Sequence, residues 1–210
     1  MPVHVHEQPL GPGRRETRGV RTVLLGAAVL LASFAVPPPL GWAAEALPPK
    51  LQATLTLRIL AYHHGLAGRE PGPVNVLLLQ EAAGGGELLV ALQGQTASGT
   101  VSGRQLRVVA RTYTTPALLG AALAELRPVA VLVPAGLDGA AREIAELSRA
   151  GTLLSIGSSE ASVRSGLALA VTRRGARPVI LANLRTLRAA GVALDAALLD
   201  LCVLVPEPAP

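Results

Sequence analysis

The chain of 210 residues is poor in aromatic side chains, cysteine and lysine. Phe, Trp and Tyr make up 2% of the residues, and Cys202 and Lys50 are the single cysteine and lysine. One cysteine excludes an intramolecular disulfide, and with it the class of small exported domains held together by disulfides. The scarcity of stacking aromatics argues against a protein that binds single-stranded nucleic acid.

The charge balance is basic, with 19 Lys and Arg against 14 Asp and Glu, a formal net charge of +5. Basic proteins raise the question of nucleic-acid binding. Here the arginines are scattered along the chain, so no stretch concentrates a positive footprint. Together with the export signal described next, this leads us to expect no nucleic-acid partner.

Residues 1–46 have the pattern of a secretory signal peptide. Arginines between positions 14 and 21 form a positive n-region, residues 22–36 form an apolar h-region, and Ala44-Glu45-Ala46 is an A-x-A cleavage site. The apolar run is shorter than the roughly 20 residues that span a bilayer. We therefore expect cleavage and export to the periplasm. A leader that is retained as a membrane anchor is the alternative.

The rest of the chain alternates short apolar runs of strand length with amphipathic segments of helical period. The predicted elements are a helix at 49–66, strands at 74–80, 105–113, 129–135 and 152–156, helices at 87–94, from Thr115-Pro116 and from Asp138 to Gly151, a hairpin at 167–183, and two short helices separated at Gly191. This order predicts one α/β domain over residues 47–205, a three-layer sandwich with a mostly parallel sheet, an antiparallel C-terminal hairpin and a closing helix. Residues 206–210 are predicted to be a disordered tail.

No motif in this domain specifies a catalytic, metal or cofactor site. His63 and His64 are adjacent on the predicted first helix, so their side chains diverge by about 100° and do not share a metal ion. We expect them at a solvated helix end. The glycine run at 84–86 lacks the Lys-Ser/Thr of a P-loop. The sequence therefore predicts no cofactor, no metal site and no enzyme activity.

Gly157, Ser158 and Ser159 follow a predicted strand, where the active sites of open α/β sheets gather. Three interpretations remain open for these residues. One serine caps a short helix, backbone N–H groups bind a small anion, or a serine acts as the nucleophile of a hydrolase. The third requires a histidine from the first helix, and the G-x-S-x-G motif is absent.

The C-terminal block contains a series of cap signals. Asn183 ends a strand and is placed to cap the next helix, Gly191 is the left-handed residue after that helix, and Asp195 caps the last one. Leu198, Leu201 and Cys202 are predicted to form the inward stripe of this last helix. Cys202 is then a buried free thiol.

This block resembles the C-terminal end of the YfiR-like family of exported bacterial proteins. The resemblance rests on a glycine, a strand, a basic turn, a second strand ending in asparagine, a short helix, a glycine and a Leu-Leu helix. The corresponding residues are Gly166, Arg177, Asn183, Gly191, Leu198 and Leu199. The first helix also resembles the first mature helix of that family.

The resemblance implies a non-catalytic periplasmic regulator. Such a protein binds the periplasmic domain of an inner-membrane sensor, a diguanylate cyclase for YfiR itself, and lowers cyclic di-GMP and biofilm formation. Redox switching by disulfides, which the resemblance also implies, is in doubt because Cys202 is alone. A homodimer is a further expectation. The alternative function is a periplasmic protein that binds a small molecule or an anion.

Within this interpretation, exposed apolar side chains carry partner binding. Arg174, Arg177 and Arg185 are predicted to surround the hairpin. They either form a solvated polar edge or pair with an acidic partner surface.

Overall fold

The computed structural model describes residues 47–66, 72–82, 86–97 and 100–206. The strands in this part of the chain form one sheet. They are β1 (Val74–Gln80), β2 (Thr100–Val101), β3 (Arg104–Thr112), β4 (Ala130–Val133), β5 (Leu154–Gly157), β6 (Leu169–Arg174), β7 (Arg177–Ala182) and β8 (Cys202–Leu204). The predicted signal peptide at 1–46 and residues 207–210 of the predicted tail lie outside the described residues.

The sheet is mixed, with the order β2-β3-β1-β4-β5-β6-β7-β8. The pairs β3–β1, β1–β4, β4–β5, β5–β6 and β7–β8 are parallel. The pairs β2–β3 and β6–β7 are antiparallel. The predicted α/β domain with a mostly parallel sheet and an antiparallel hairpin is therefore confirmed.

The helices lie on the two faces of this sheet. They are α1 (Pro49–Ala61), α2 (Gly86–Thr96), α3 (Pro116–Leu126), α4 (Ala141–Ala150), α5 (Glu160–Arg164), α6 (Leu184–Ala189) and α7 (Ala196–Leu199). Within the described ranges, every helix is too short or too polar to cross a bilayer.

The alternation of side chains along β1 divides the core into two layers. Val76 and Leu78 pack in the cluster that contains the buried side chains of α1 and α2. Leu77 and Leu79 point the other way and pack against α3 and α4. All four residues of β4 are buried. The continuous apolar run of β4 therefore marks a strand covered on both faces, as the sequence predicts.

The helix caps at Thr115, Asn183 and Asp195 are present. The Thr115 side chain accepts a hydrogen bond from the backbone N–H of Leu118, and Pro116 follows in the first turn of α3. Asn183 Oδ1 accepts from the N–H of Thr186 at 3.0 Å, at the start of α6. Gly191 has φ 63°, the left-handed conformation that favours glycine after a helix. Asp195 caps α7.

The last predicted helix is shorter than expected. It ends at Leu199, and Cys202 opens strand β8, which pairs in parallel with β7. Leu201 is 70% exposed, so the prediction that Leu201 and Cys202 line an inward helical stripe is wrong, although Leu198 is buried. An apolar run does not distinguish helix from strand. The strand is favoured because β8 forms hydrogen bonds with backbone groups on the outer side of β7. The outermost strand at this end of the sheet is therefore β8, and not a strand of the hairpin.

The first helix also differs from its predicted form. It ends at Ala61, and a 3-10 turn follows at His64–Leu66. The buried side chains of α1 include Thr56 and Ile59, while Leu51 and Tyr62 are exposed. His63 is only 8% exposed, and its backbone bridges to that of Leu194. The prediction that both histidines are exposed at a helix end therefore holds for His64 and is wrong for His63.

Replacing Asn183 by Ala tests the cap that joins β7 to α6. The change removes the acceptor of the Thr186 N–H, which is buried in the structure. We expect the free energy of unfolding to fall by about 1 kcal/mol, as is typical of a lost N-cap. Urea denaturation measures this. Asn183→Ser keeps a capping oxygen and is the matched control, and equal stability of the Ala variant and the wild type would contradict the assignment.

Candidate functional site

The carboxyl edge of the parallel strands is the first place to look for a site. β1 lies between β3 and β4 in the sheet. The chain therefore runs from β1 to β3 on one side of β1, and then crosses to β4 on the other side. Open α/β sheets bind ligands in the crevice at such a reversal of strand order. Glu81 follows β1 at this edge, and Gly157-Ser158-Ser159 ends β5 and enters α5.

The two serines are held by hydrogen bonds within the protein. Ser158 Oγ donates to the carbonyl oxygen of Val133 at 3.2 Å and accepts from Gln52 Nε2 at 2.7 Å. Ser159 Oγ donates to Asp138 Oδ2 at 2.7 Å and accepts from the N–H of Ser162 at 3.0 Å. Ser159 is thus the N-cap of α5. This agrees with the first of the three interpretations, in which one serine caps a short helix.

The helix predicted to start at Asp138 begins later, at Ala141, and the expected position of Asp138 at its N-terminus is wrong. Asp138 lies in a 3-10 helix at Ala135–Ala140, and α4 begins after it. Its carboxylate instead ties the loop after β4 to Ser159 at the end of β5. Oδ1 of the same carboxylate is buried and accepts no hydrogen bond from the described residues.

Glu81, which follows β1, contacts the loop after β4. Its carboxylate lies directly against Gly136, at a position that a Cβ atom on this glycine would occupy. Gly136 therefore allows Glu81 to approach the loop after β4. Gly157 serves the same purpose at the end of β5, where a Cβ atom would collide with Ser162 Oγ.

The predicted anion-binding turn at Gly157, Ser158 and Ser159 stays a prediction, and the geometry offers it little support. α5 has five residues, and its first turn already contains the carboxylate of Glu160. The Ser159 hydroxyl already donates its hydrogen bond to the carboxylate of Asp138. Glu81, another acidic residue, follows β1 at the same edge. A further anion would face repulsion from these carboxylates.

In the part of the chain that the structure describes, the histidines lie far from Ser158. Gln52, which contacts Ser158, lies in the first turn of α1, and the histidines follow the last residue of that helix, Ala61. At 1.5 Å per residue, Gln52 and Ala61 are about 14 Å apart along the helix axis. No cluster of three metal-ligating side chains occurs among the described residues either.

Serine-reactive reagents test this conclusion directly. We expect a fluorophosphonate probe to leave the exported protein unlabelled, because both hydroxyls donate to acceptors and have no imidazole beside them. Mass spectrometry of the intact protein measures the outcome. Labelling that disappears in Ser158→Ala or Ser159→Ala, and persists in the exposed-serine control Ser102→Ala, would contradict it.

The three arginines predicted to surround the hairpin do not form one group. Arg174 and Arg177 face each other across its turn. Arg185 lies in α6, beyond the other end of β7, about 20 Å away for a strand of this length. Arg174 pairs with Glu160 at 3.1 Å. Hydrogen bonds from Arg164 and then Arg174 hold the pKa of Glu160 below its usual value.

The remaining signature residues have structural positions. Gly166 adopts φ 111° in the turn between α5 and β6. The Cys202 thiol donates to the carbonyl oxygen of Leu198 at 3.2 Å, and burial raises its pKa, so the thiol stays protonated at neutral pH. This state is the opposite of a reactive thiolate.

Some features of this region give no signal in the sequence. Gln52 lies 106 positions from Ser158, and Asp138 lies 21 positions from Ser159. Tyr113 donates to Glu143 Oε2 at 2.8 Å, and burial together with this carboxylate raises the pKa of Tyr113 to about 12. These pairs depend on tertiary packing, and no local spacing indicates them.

The match to known families decides what kind of protein has this geometry. A family model described as YfiR/HmsC-like matches residues 49–203. The chain belongs to the YfiR/HmsC-like family. This family is exported, regulatory and generally non-catalytic, and it acts with a partner protein. The sequence resemblance is therefore confirmed.

Solved structures share the fold at low sequence identity. A conserved domain protein from Vibrio cholerae is 11% identical with a TM-score of 0.55, over 75% of this chain and 60% of that one. An ABC domain in complex with L-Trp from Streptococcus pneumonia is 11% identical with a TM-score of 0.52, over 76% and 60%. A ligand-free, open substrate-binding protein with adhesive properties from Clostridium difficile is 11% identical with a TM-score of 0.50, over 64% and 55%.

The YfiR/HmsC-like chain thus spans between 55% and 60% of the length of these structures. At this identity the likeness shows the α/β fold alone. No curated protein sequence gives a significant match.

Proposed function

We propose that this chain is a non-catalytic periplasmic regulator that binds the periplasmic domain of an inner-membrane sensor and restrains its output. The sensor we propose is a diguanylate cyclase, so that restraint lowers cyclic di-GMP and biofilm formation. The observation that carries the proposal is the match of the YfiR/HmsC-like family over residues 49–203.

The distribution of polar and apolar groups supports binding of a protein rather than catalysis. At the carboxyl edge, the hydroxyls of Ser158 and Ser159 are engaged with Gln52 and Asp138. Large apolar side chains are instead exposed on the helical layers, with Val90 of α2 at 69% and Leu118 of α3 at 62%. Buried apolar anchors contribute most of the energy at protein interfaces.

We propose the groove between α1 and α2 as the surface for the sensor, and we call it the α1–α2 groove. Its volume is about 880 Å³. Val90 is one of its apolar lining residues, and Lys50 and Glu87 are its charged ones. The lining residues are Pro48, Pro49, Lys50, Gly86, Glu87, Val90, Ala91, Gly94 and Gln95. A mostly apolar lining with few charged side chains suits the anchor of a protein partner.

Export is part of the same proposal. We propose that the leader is cleaved after Ala46, so that the domain of residues 47–205 is released into the periplasm. Leu47 is 5% exposed and belongs to the core cluster of α1 and α2. A residue of the core thus directly follows the proposed cleavage site.

Restraint of the sensor is tested by deletion and complementation. We expect loss of the gene to raise cyclic di-GMP and the wild-type gene to restore it. Val90→Glu places a charge in the α1–α2 groove, so we expect this variant to fail in complementation while it is still exported and folded. Crosslinking in the periplasm, followed by mass spectrometry, identifies the membrane protein that the wild type captures and Val90→Glu does not.

Leu118→Glu is the matched control because Leu118 is a similarly exposed apolar side chain on the opposite layer of the sheet. It is expected to complement like the wild type. Unchanged cyclic di-GMP after deletion, together with no membrane protein captured by the wild type, would overturn the proposed function. Equal complementation by both variants would overturn the assignment of the groove.

A further inference from the structure

Strand β3 is longer than the strand that covers its outer side. β1 pairs with Leu106–Thr112 on the inner side of β3, whereas β2 pairs only with Arg104 and Gln105 on the outer side. No described residue pairs with the outer side of Leu106–Thr112. We call this outer side the β3 edge. Unpaired backbone groups along a strand are a template on which another extended chain can pair.

The direction of the backbone groups along the β3 edge follows from one hydrogen bond. The N–H of Tyr113 donates to the carbonyl oxygen of Gln80 at 2.9 Å, so Tyr113 directs its backbone groups towards β1. Successive residues of a strand direct their backbone groups to opposite sides. The residues of the β3 edge that direct an N–H and a C=O group outward are therefore Val108, Ala110 and Thr112.

Two arginine side chains flank these outward groups. Arg107 and Arg111 alternate with Val109, so the three side chains lie on the same face of the sheet. Both arginines are exposed, and neither forms an ion pair with a described residue. Glu125 of α3 lines a cavity together with Arg111 but does not pair with it. Arg111 instead donates to the outward carbonyl oxygen of Ala110 at 3.2 Å.

The arginines determine which kind of chain the β3 edge fits. Like charges that lie directly opposite each other destabilise an antiparallel pair of strands. If two copies paired through this edge around Val109, Arg107 of one copy would lie opposite Arg111 of the other. A strand with carboxylates at those positions avoids this repulsion and accepts charge-assisted hydrogen bonds from the guanidinium groups. The β3 edge is therefore complementary in charge to an acidic strand and not to itself.

We propose that the β3 edge is a second binding site, which takes an extended acidic segment of another protein as an antiparallel strand. The outward groups of Val108 and Ala110 pair with the backbone of this segment. Two of its carboxylates lie opposite Arg107 and Arg111, and an apolar side chain between them lies opposite Val109. The site shares no residue with the α1–α2 groove, so it is separate from the surface proposed for the sensor.

Amide hydrogen exchange, resolved by NMR on the protein purified from the periplasm, tests whether the β3 edge is open. We expect fast exchange at Val108 and Ala110, whose N–H groups point outward. Slow exchange is expected at Val109 and Arg111, whose N–H groups point to β1. Protection of the outward amides in the free protein would mean that another segment or a second copy already covers the edge, and it would overturn the proposal.

A capped five-residue peptide tests pairing with an acidic strand. It has glutamate at both ends, valine at the centre and threonine between them, so that its carboxylates lie opposite Arg107 and Arg111. We expect the peptide, at millimolar concentration, to shift the amide resonances of Val108 and Ala110 and to slow their exchange. N-methylation of its two threonines removes the donors directed at β3 and should abolish binding. N-methylation of the central valine, whose N–H points away from β3, is the matched control and should not.

Reversal of the charges on both partners tests the role of the arginines. We expect the double variant Arg107→Glu, Arg111→Glu to bind the glutamate peptide roughly tenfold more weakly than the wild type does. The same variant should bind the corresponding lysine peptide more tightly than the wild type does. Arg188→Glu makes the same charge change at an exposed position of α6 and should behave like the wild type with both peptides. Thermal melting confirms that each variant is folded.

The absence of shifts along the β3 edge at millimolar glutamate peptide would overturn the proposal. Equal binding of the glutamate and lysine peptides, or binding that survives N-methylation of the threonines, would also overturn it. These measurements involve no sensor, so their failure leaves the proposed function intact. Conversely, a result with Val90→Glu that contradicts the proposed function leaves the β3 edge untouched.

Discussion

Burial of β1 and β4 on both faces is the constraint on which the rest of the structure depends. Leu77 and Leu78 are adjacent in β1 and pack into opposite layers, and all four side chains of β4 are buried. Each such leucine contributes about 1.5–3 kcal/mol when it is fully buried. Parallel strands also need long crossovers, and the helices of these crossovers supply the two covering layers. The carboxyl ends of β1, β4 and β5 consequently meet at one edge of the sheet.

At that edge, close contacts and hydrogen bonds within the chain hold the loops together. Glu81 lies against Gly136, and Asp138 holds Ser159, so the loops after β1, β4 and β5 contact one another. The fold is shared with substrate-binding proteins, yet one fold supports many uses and the site decides among them. In this YfiR/HmsC-like protein, exposed large apolar side chains include Val90 of α2, which lies away from these loops. The proposed sensor surface follows from that position.

The sequence predicts those parts of the structure that local chemistry determines. Apolar runs such as 129–135 indicate buried strands because both faces must be covered, and caps such as Thr115 and Asn183 are recognised because a side-chain oxygen satisfies a free N–H of the first turn. The family resemblance depends on the same C-terminal caps. The parallel pairing of the central strands also follows from the alternation of strands with helices along the chain.

The remaining features depend on contacts between distant segments. Cys202–Leu204 form a strand because β7 lies beside them, and an apolar run alone fits a helix equally well. The buried His63 forms a backbone bridge with Leu194, 131 positions later (194 minus 63). The contacts of Ser158 with Gln52 and of Ser159 with Asp138 have the same origin. The position of the candidate site could be predicted from the sequence, but the hydrogen bonds that hold its serines could not.

The central claim is that the protein acts through an exposed apolar surface and not through the carboxyl edge of its sheet. Hydrogen exchange, followed by mass spectrometry on the exported protein with and without membranes from the same cells, tests this most directly. The account predicts slower exchange in α2 around Val90 and unchanged exchange in the loops at 134–138 and 157–162. Slower exchange confined to those two loops would contradict it.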